Sequence, residues 1–297
     1  ATSAAAASRP IFSASSTSIV VGAISLTGQN LPQARAAAGR WSEWKMQIHS
    51  LVPRGEVLSP KNLAGWMGLS FAAGAVNANA FLASQTFVTH LTGIVTRLGI
   101  HVASLTMMTD YFGVFVCFVV GAMTAVVLLD GRRLRGLPSL PWLPLATVSV
   151  LLVLVSVLGH LGVFGPFGAY DESPGEFALF MLLAFAMGLQ NAAVGNATGS
   201  LVRTTHMTGP ATDLGVALAF LLIRDLPLEH IEAAKRTVKL RSAKILAFAL
   251  GCVASALFVP SLEFLGFLVP AAICALVALS LFRRIPVRVS PRMLAQE

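Results

Sequence analysis

Several stretches of about twenty consecutive residues in this chain carry no charged side chain, a length that spans the hydrocarbon core of a bilayer as a helix. The apolar stretches run approximately over 62–84, 111–129, 142–166, 177–195, 242–259 and 264–282. Of the 297 residues, 56% are hydrophobic and 11% charged, and the mean hydropathy is +0.77. Soluble domains carry about 25% charged residues, so this chain could not cover its own surface in water. The sequence predicts an all-α integral membrane protein and argues against a soluble enzyme.

A net charge of +8 and a pI near 10.1 would suit a nucleic-acid partner, but the Lys and Arg residues fall mainly between the apolar stretches and at the termini. That placement orients a protein in a bilayer, and no nucleic-acid partner is expected. If only the six stretches cross, Lys61, Arg132, Arg133, Arg135, the segment from Arg224 to Lys244, and Arg283, Arg284, Arg288 and Arg292 share one side, with Asp171, Glu172 and Glu176 opposite. Two less apolar segments, about 86–108 and 196–223, would move the Arg132–Arg135 cluster to the wrong side if both crossed. They are predicted to be re-entrant or broken helices, whose backbone must be satisfied by protein or by a water-filled cavity.

Those two segments contain a repeat. Thr89-His-Leu-Thr-Gly-Ile-Val-Thr-Arg-Leu-Gly99 and Thr205-His-Met-Thr-Gly-Pro-Ala-Thr-Asp-Leu-Gly215 agree at seven of eleven positions. Upstream, Gly74-Ala-Val-Asn-Ala78 and Gly188-Leu-Gln-Asn-Ala192 each close an apolar stretch. The chain therefore reads as two related three-helix halves of about six transmembrane helices, residues 61–175 and 176–284, flanked by an extension, 1–60, and a basic tail, 285–297. Three crossings per half are odd in number, so the second half enters from the opposite face and the repeat is inverted, as in many transporters.

Within the motif, Gly93, Gly209 and Pro210 are expected to mark the helix break, with a new helix starting near Pro210. Its free amides, with the hydroxyls of Thr205, Thr208 and Thr212, would suit an anionic group or ordered water. The candidate solute- or ion-binding residues are His90, His206, Thr89, Thr92, Thr205, Thr208, Asn77 and Asn191. An ionisable residue at membrane depth is costly and points to function, whereas a neutral His also serves as a hydrogen-bonding contact between helices; both readings of His90 and His206 stand. Arg97 and Asp213 fill matching places with opposite charge and are candidates for a buried ion pair. His101 and His160 read as packed or interfacial. Cys117, Cys252 and Cys274 lie far apart in apolar stretches without a CxxC spacing, and no catalytic, metal-binding or cofactor-binding pattern is found.

At Met187-Gly-Leu-Gln-Asn-Ala192, Val202-Arg-Thr-Thr-His-Met-Thr-Gly209 and Asp213-Leu-Gly215 the chain resembles the YoaK-like family of multipass membrane proteins of uncharacterised function. The first half matches through Gly74, Asn77, Phe81 and Leu91-Thr-Gly93, and the likeness covers about residues 62–284. The resemblance implies a bundle of about six helices and names no substrate.

Two functions follow as expectations: a membrane protein of transporter-like architecture moving a small solute or ion, or a non-catalytic accessory subunit of a larger organelle membrane complex. The second rests on residues 1–60, which carry little core-forming pattern and need a partner surface on which to order. The first 30 residues are rich in Ala and Ser and contain no Asp or Glu, as around a transit-peptide cleavage site. An organelle inner membrane, plastid thylakoid or mitochondrial, is thus expected, with the basic loops on the stromal or matrix side.

Overall fold

Proline and serine open two of the longest helices. In the computed structural model, which describes residues 56–57, 59–169 and 173–283, α1 (Pro60–Ser84) follows Ser59, and α5 (Pro174–Ala197) follows Ser173, whose hydroxyl accepts from the Glu176 amide at 3.3 Å. Proline in the first turn needs no amide partner, and the serine oxygen supplies one for a neighbour. The other helices of ten or more described residues are α2 (Leu91–Ile100), α3 (Leu105–Val126), α4 (Leu143–His160), α6 (Thr208–Leu222), α7 (Leu228–Leu262) and α8 (Leu268–Phe282). There is no strand among the described residues.

A helix covers most of each of the six apolar stretches. The third ends early, at His160 rather than 166, because the chain turns through Gly162 and Gly165, both at positive φ. By length and composition four helical segments suffice to cross a membrane: Leu105–Leu134, Leu143–His160, Pro174–Ala197 and Leu228–Phe282. The last holds 55 residues, about 80 Å of helix at 1.5 Å per residue, and turns at Glu263, where φ is 48°. In α1, Asn77 and Asn79 lower the apolar character of an otherwise suitable 25-residue helix. Helices α2 and α6, with 10 and 15 residues, reach only about 15 and 22 Å, short of the roughly 30 Å hydrocarbon core.

Many large apolar side chains face outward, while small residues line the helix contacts. Leu257 is 70% exposed, Leu276 67% and Val150 66%, whereas Ala72, Ala73, Val76 and Ala80 of α1 are buried. An apolar exterior of this extent belongs to a membrane protein, whose helices approach through glycine and alanine. Helix α1 packs on α7, and α3 on α5. A Cβ added to Gly74 would overlap the carbonyl oxygen of Phe248, and one at Gly251 that of Phe71. The other pair repeats this: Gly188 lies against the Phe118 carbonyl and Gly121 against that of Phe185. Both pairs run parallel, since contacts advance together from Phe71–Gly251 to Ala75–Ser255 and from Gly113–Met181 to Gly121–Leu189.

The described residues all belong to one compact unit, 48–297. Residues 1–55 of the predicted extension, the acidic residues Asp171 and Glu172, Arg284 and the tail 285–297 lie outside the described residues.

Candidate functional site

Each of the two motif segments begins with a chain reversal and is then tied to an asparagine on the preceding helix. Helix α1 stops at Gln85, in the left-handed region at φ 56°. Asn77 Oδ1 then accepts from the Thr89 hydroxyl at 2.7 Å and from the Thr89 amide at 3.3 Å. Helix α5 ends at Ala197, Gly199 and Ser200 reverse the chain at φ 57° and 66°, and Asn191 Oδ1 accepts from the Thr205 amide at 3.3 Å. An amide side chain suits this task because its oxygen accepts twice while the NH2 group remains free for a further partner.

The repeated His-x-x-Gly spacing now has a physical cause. His90 stands one residue and His206 two residues before the first turns of α2 and α6, and each imidazole lies over that turn. A Cβ at Gly93 would come 2.8 Å from His90 Nδ1, and one at Gly209 2.5 Å from His206 Cε1. Glycine leaves the room that the ring occupies. At a helix N-terminus the first amides have no intrahelical acceptor, so each ring stands beside a partly positive group of donors.

The two segments are gathered around one cavity of about 640 Å3. All eight polar candidates line it: Asn77, Thr89, His90 and Thr92 from the first half, Asn191, Thr205, His206 and Thr208 from the second. Phe118 and Phe248, whose carbonyls rest on Gly188 and Gly74, also line it, as do Phe87 and Arg203. Phe87 stacks on Phe81 with ring centroids 4.4 Å apart.

Sequence reasoning missed the residues that brace the second segment. Lys244 on α7 is 1% exposed and its Nζ donates to the His206 carbonyl. Arg241 donates to the Leu201 carbonyl at 2.7 Å and pairs with Asp213 at 3.0 Å. Gln190 Nε2 donates to the Leu69 carbonyl at 3.0 Å and to the Thr204 hydroxyl at 3.2 Å. Thr198 Oγ1 accepts from the Val202 amide at 3.1 Å and donates to the Val194 carbonyl at 2.8 Å. In the sequence the charges from Arg224 to Lys244 read as a loop between apolar stretches, but α7 is helical from Leu228 onward. Lys244, Gly251 and Ser255 recur at seven and four residues, a spacing that puts all three on the buried face.

Three expectations are corrected. Arg97 and Asp213 do not pair with each other: Arg97 donates to the Tyr111 hydroxyl at 2.8 Å, and Asp213 takes Arg241. Tyr111 and Arg241 stand ten residues before Gly121 and Gly251, so each motif helix is tied to the same place on the next helix of its own half. The helix break precedes Gly93, Gly209 and Pro210 rather than falling on them. Helix α6 starts at Thr208 with Pro210 third, where a missing amide still costs nothing. The Thr212 hydroxyl, offered as a site group, donates instead to the Thr208 carbonyl at 3.1 Å, as Thr96 does to Thr92 at 2.8 Å. Among the described residues no group of three or more His, Cys, Asp or Glu could hold a metal ion.

Residues 66–280 match a family described as protein of unknown function (DUF1275). The YoaK-like resemblance is consistent with that uncharacterised family. No curated protein and no solved structure matches the chain.

Proposed function

Because the chain belongs to the DUF1275 family, and the matched region contains both motif segments, we propose that it is a transporter-like membrane protein built from two inverted halves, holding a small solute in the cavity between α2 and α6. The observation that carries this reading is that eight polar residues from two separate copies of one motif line a single cavity. Asn77–Thr89 and Asn191–Thr205 are tied to each other, which leaves His90, Thr92, His206 and Thr208 to face the void. Its volume falls within the range of about 300–1,000 Å3 usual for small-molecule sites.

Six crossings are supported by the shortness of α2 and α6 and by the antiparallel packing of α4 on α8, where the Ser149 hydroxyl donates to the Ala271 carbonyl and Trp142 meets Phe282; eight crossings would make these two helices parallel. With α2 and α6 re-entrant, α1 and α7 run one way and α3 and α5 the other. The matched glycine–phenylalanine carbonyl contacts support a two-fold relation between the halves. Helix α6 would then start at depth and run outward beside α7, and α2 beside α3, their N-termini facing the cavity from opposite sides.

Proteoliposome swelling in a panel of iso-osmotic small solutes tests this reading, using Thr208→Cys in a background with Cys117, Cys252 and Cys274 replaced by alanine. At least one solute should permeate, and modification of Thr208→Cys should block it. A thiol that reacts while no solute permeates would refute transport.

A further inference from the structure

The cavity is not symmetric in charge, although its motif is repeated. Arg203 in the second half stands two residues before Thr205, and the matching position before Thr89 is Phe87. Both line the cavity. The stem of Arg203 runs along Gly195 of α5, with Cγ 3.9 Å from where a Cβ on that glycine would sit. Lys244 lies close enough to both Arg203 and Arg241 to interact electrostatically, and among the described residues the carboxylate that reaches this group is Asp213, already held by Arg241. Three cations thus face one acid. Among the described lining residues there is no Asp or Glu.

Phe87, Phe118 and Phe248 line the same cavity and bring no charge to it. A ligand that matches both kinds of lining residue has an anionic end and an apolar or aromatic body. A simple inorganic anion would leave the rings unused, and a cation would meet Arg203 with no carboxylate to offset it.

Resting on the reading of this cavity as a solute site, we propose that its ligand class is a small organic anion such as an aromatic monocarboxylate, with the carboxylate at Arg203 and the amides that open α6, and the ring against Phe87, Phe118 and Phe248. The helix N-terminus adds donors that need no proton transfer, while Arg203 fixes which half takes the charge.

The test is the reaction rate of Thr208→Cys, in the cysteine-free background, with anionic and cationic methanethiosulfonate reagents, each normalised to its rate with a free thiol. The protein is held in phosphatidylcholine vesicles. The anionic reagent should react about tenfold faster, Arg203→Gln should abolish the preference, and Arg203→Lys should keep most of it. Millimolar benzoate should slow the reaction, whereas acetate and benzylamine should not. A preference for the cationic reagent, or equal protection by acetate and benzoate, overturns the proposal and leaves the solute cavity standing. A thiol unreactive to both reagents removes the cavity reading itself. Protection by phosphatidylglycerol in the bilayer but not by benzoate would assign the charge to a lipid headgroup and overturn the proposal of a soluble anion.

Discussion

The two motif segments share a sequence and an outline, yet they are held in unlike ways. The first hangs from Asn77, which accepts twice from Thr89, from the stack of Phe87 on Phe81 and from the bond of Arg97 to the Tyr111 hydroxyl. The second is braced from two helices, by Gln190 of α5 and by Arg241 and Lys244 of α7. The lesson is that a duplicated motif preserves what its local geometry demands, glycine under histidine and asparagine behind threonine. The surrounding helices are free to diverge in charge. On this account the second segment carries the electrostatic character of the cavity.

The largest effects should be equal in the two halves, because the helix crossings are matched. Gly74→Ala and Gly188→Ala each drive a methyl group into a phenylalanine carbonyl, and each should cost about 3 kcal/mol or more. Thermal unfolding in detergent, followed by tryptophan fluorescence, compares them. A loss in one and tolerance in the other would break the claim that the two crossings are equivalent.

Much of this was legible before any coordinates. The repeat singled out polar residues that line one cavity, and the same local constraint recurs in both copies, the imidazole over its own first turn. The Arg97–Asp213 pairing was not legible, since matching positions in a repeat converge only near an axis, and both residues lie along helices that lead away from the junction to Tyr111 and Arg241. Lys244 was hidden by its context. A lysine at the edge of an apolar stretch reads as a loop charge unless the helix is known to continue through it, as α7 does. The helix start at Thr208 was displaced toward Pro210 because proline is tolerated throughout the first turn and so does not fix a boundary to one residue.

The next effects should differ between the halves. Lys244→Met strands the His206 carbonyl and should cost about 2 kcal/mol, whereas Val114→Ala, at the matching place seven residues before Gly121, should cost about 1 kcal/mol through a small void. The same unfolding measurement applies. Equal losses would mean that the brace from α7 contributes little beyond packing.

The smallest contrast is between the two asparagines. Asn77→Ala removes two hydrogen bonds and Asn191→Ala one, so the expected losses are about 2 and about 1 kcal/mol. Amide hydrogen exchange at Thr89 and Thr205 resolves each segment separately, and should rise more at Thr89. A larger rise at Thr205 would reverse the ranking of the two junctions.

The central claim is that the two segments meet at one cavity within a single chain. Cross-linking a Thr92→Cys/Thr208→Cys variant, in the background lacking the other three cysteines, tests it most directly. A short bis-maleimide spanning about 10 Å, comparable to the width of a small-molecule cavity, should join the two thiols within one chain. Each single variant should react without forming that product. Two thiols that each react fully and yet never cross-link within a chain would contradict the shared cavity.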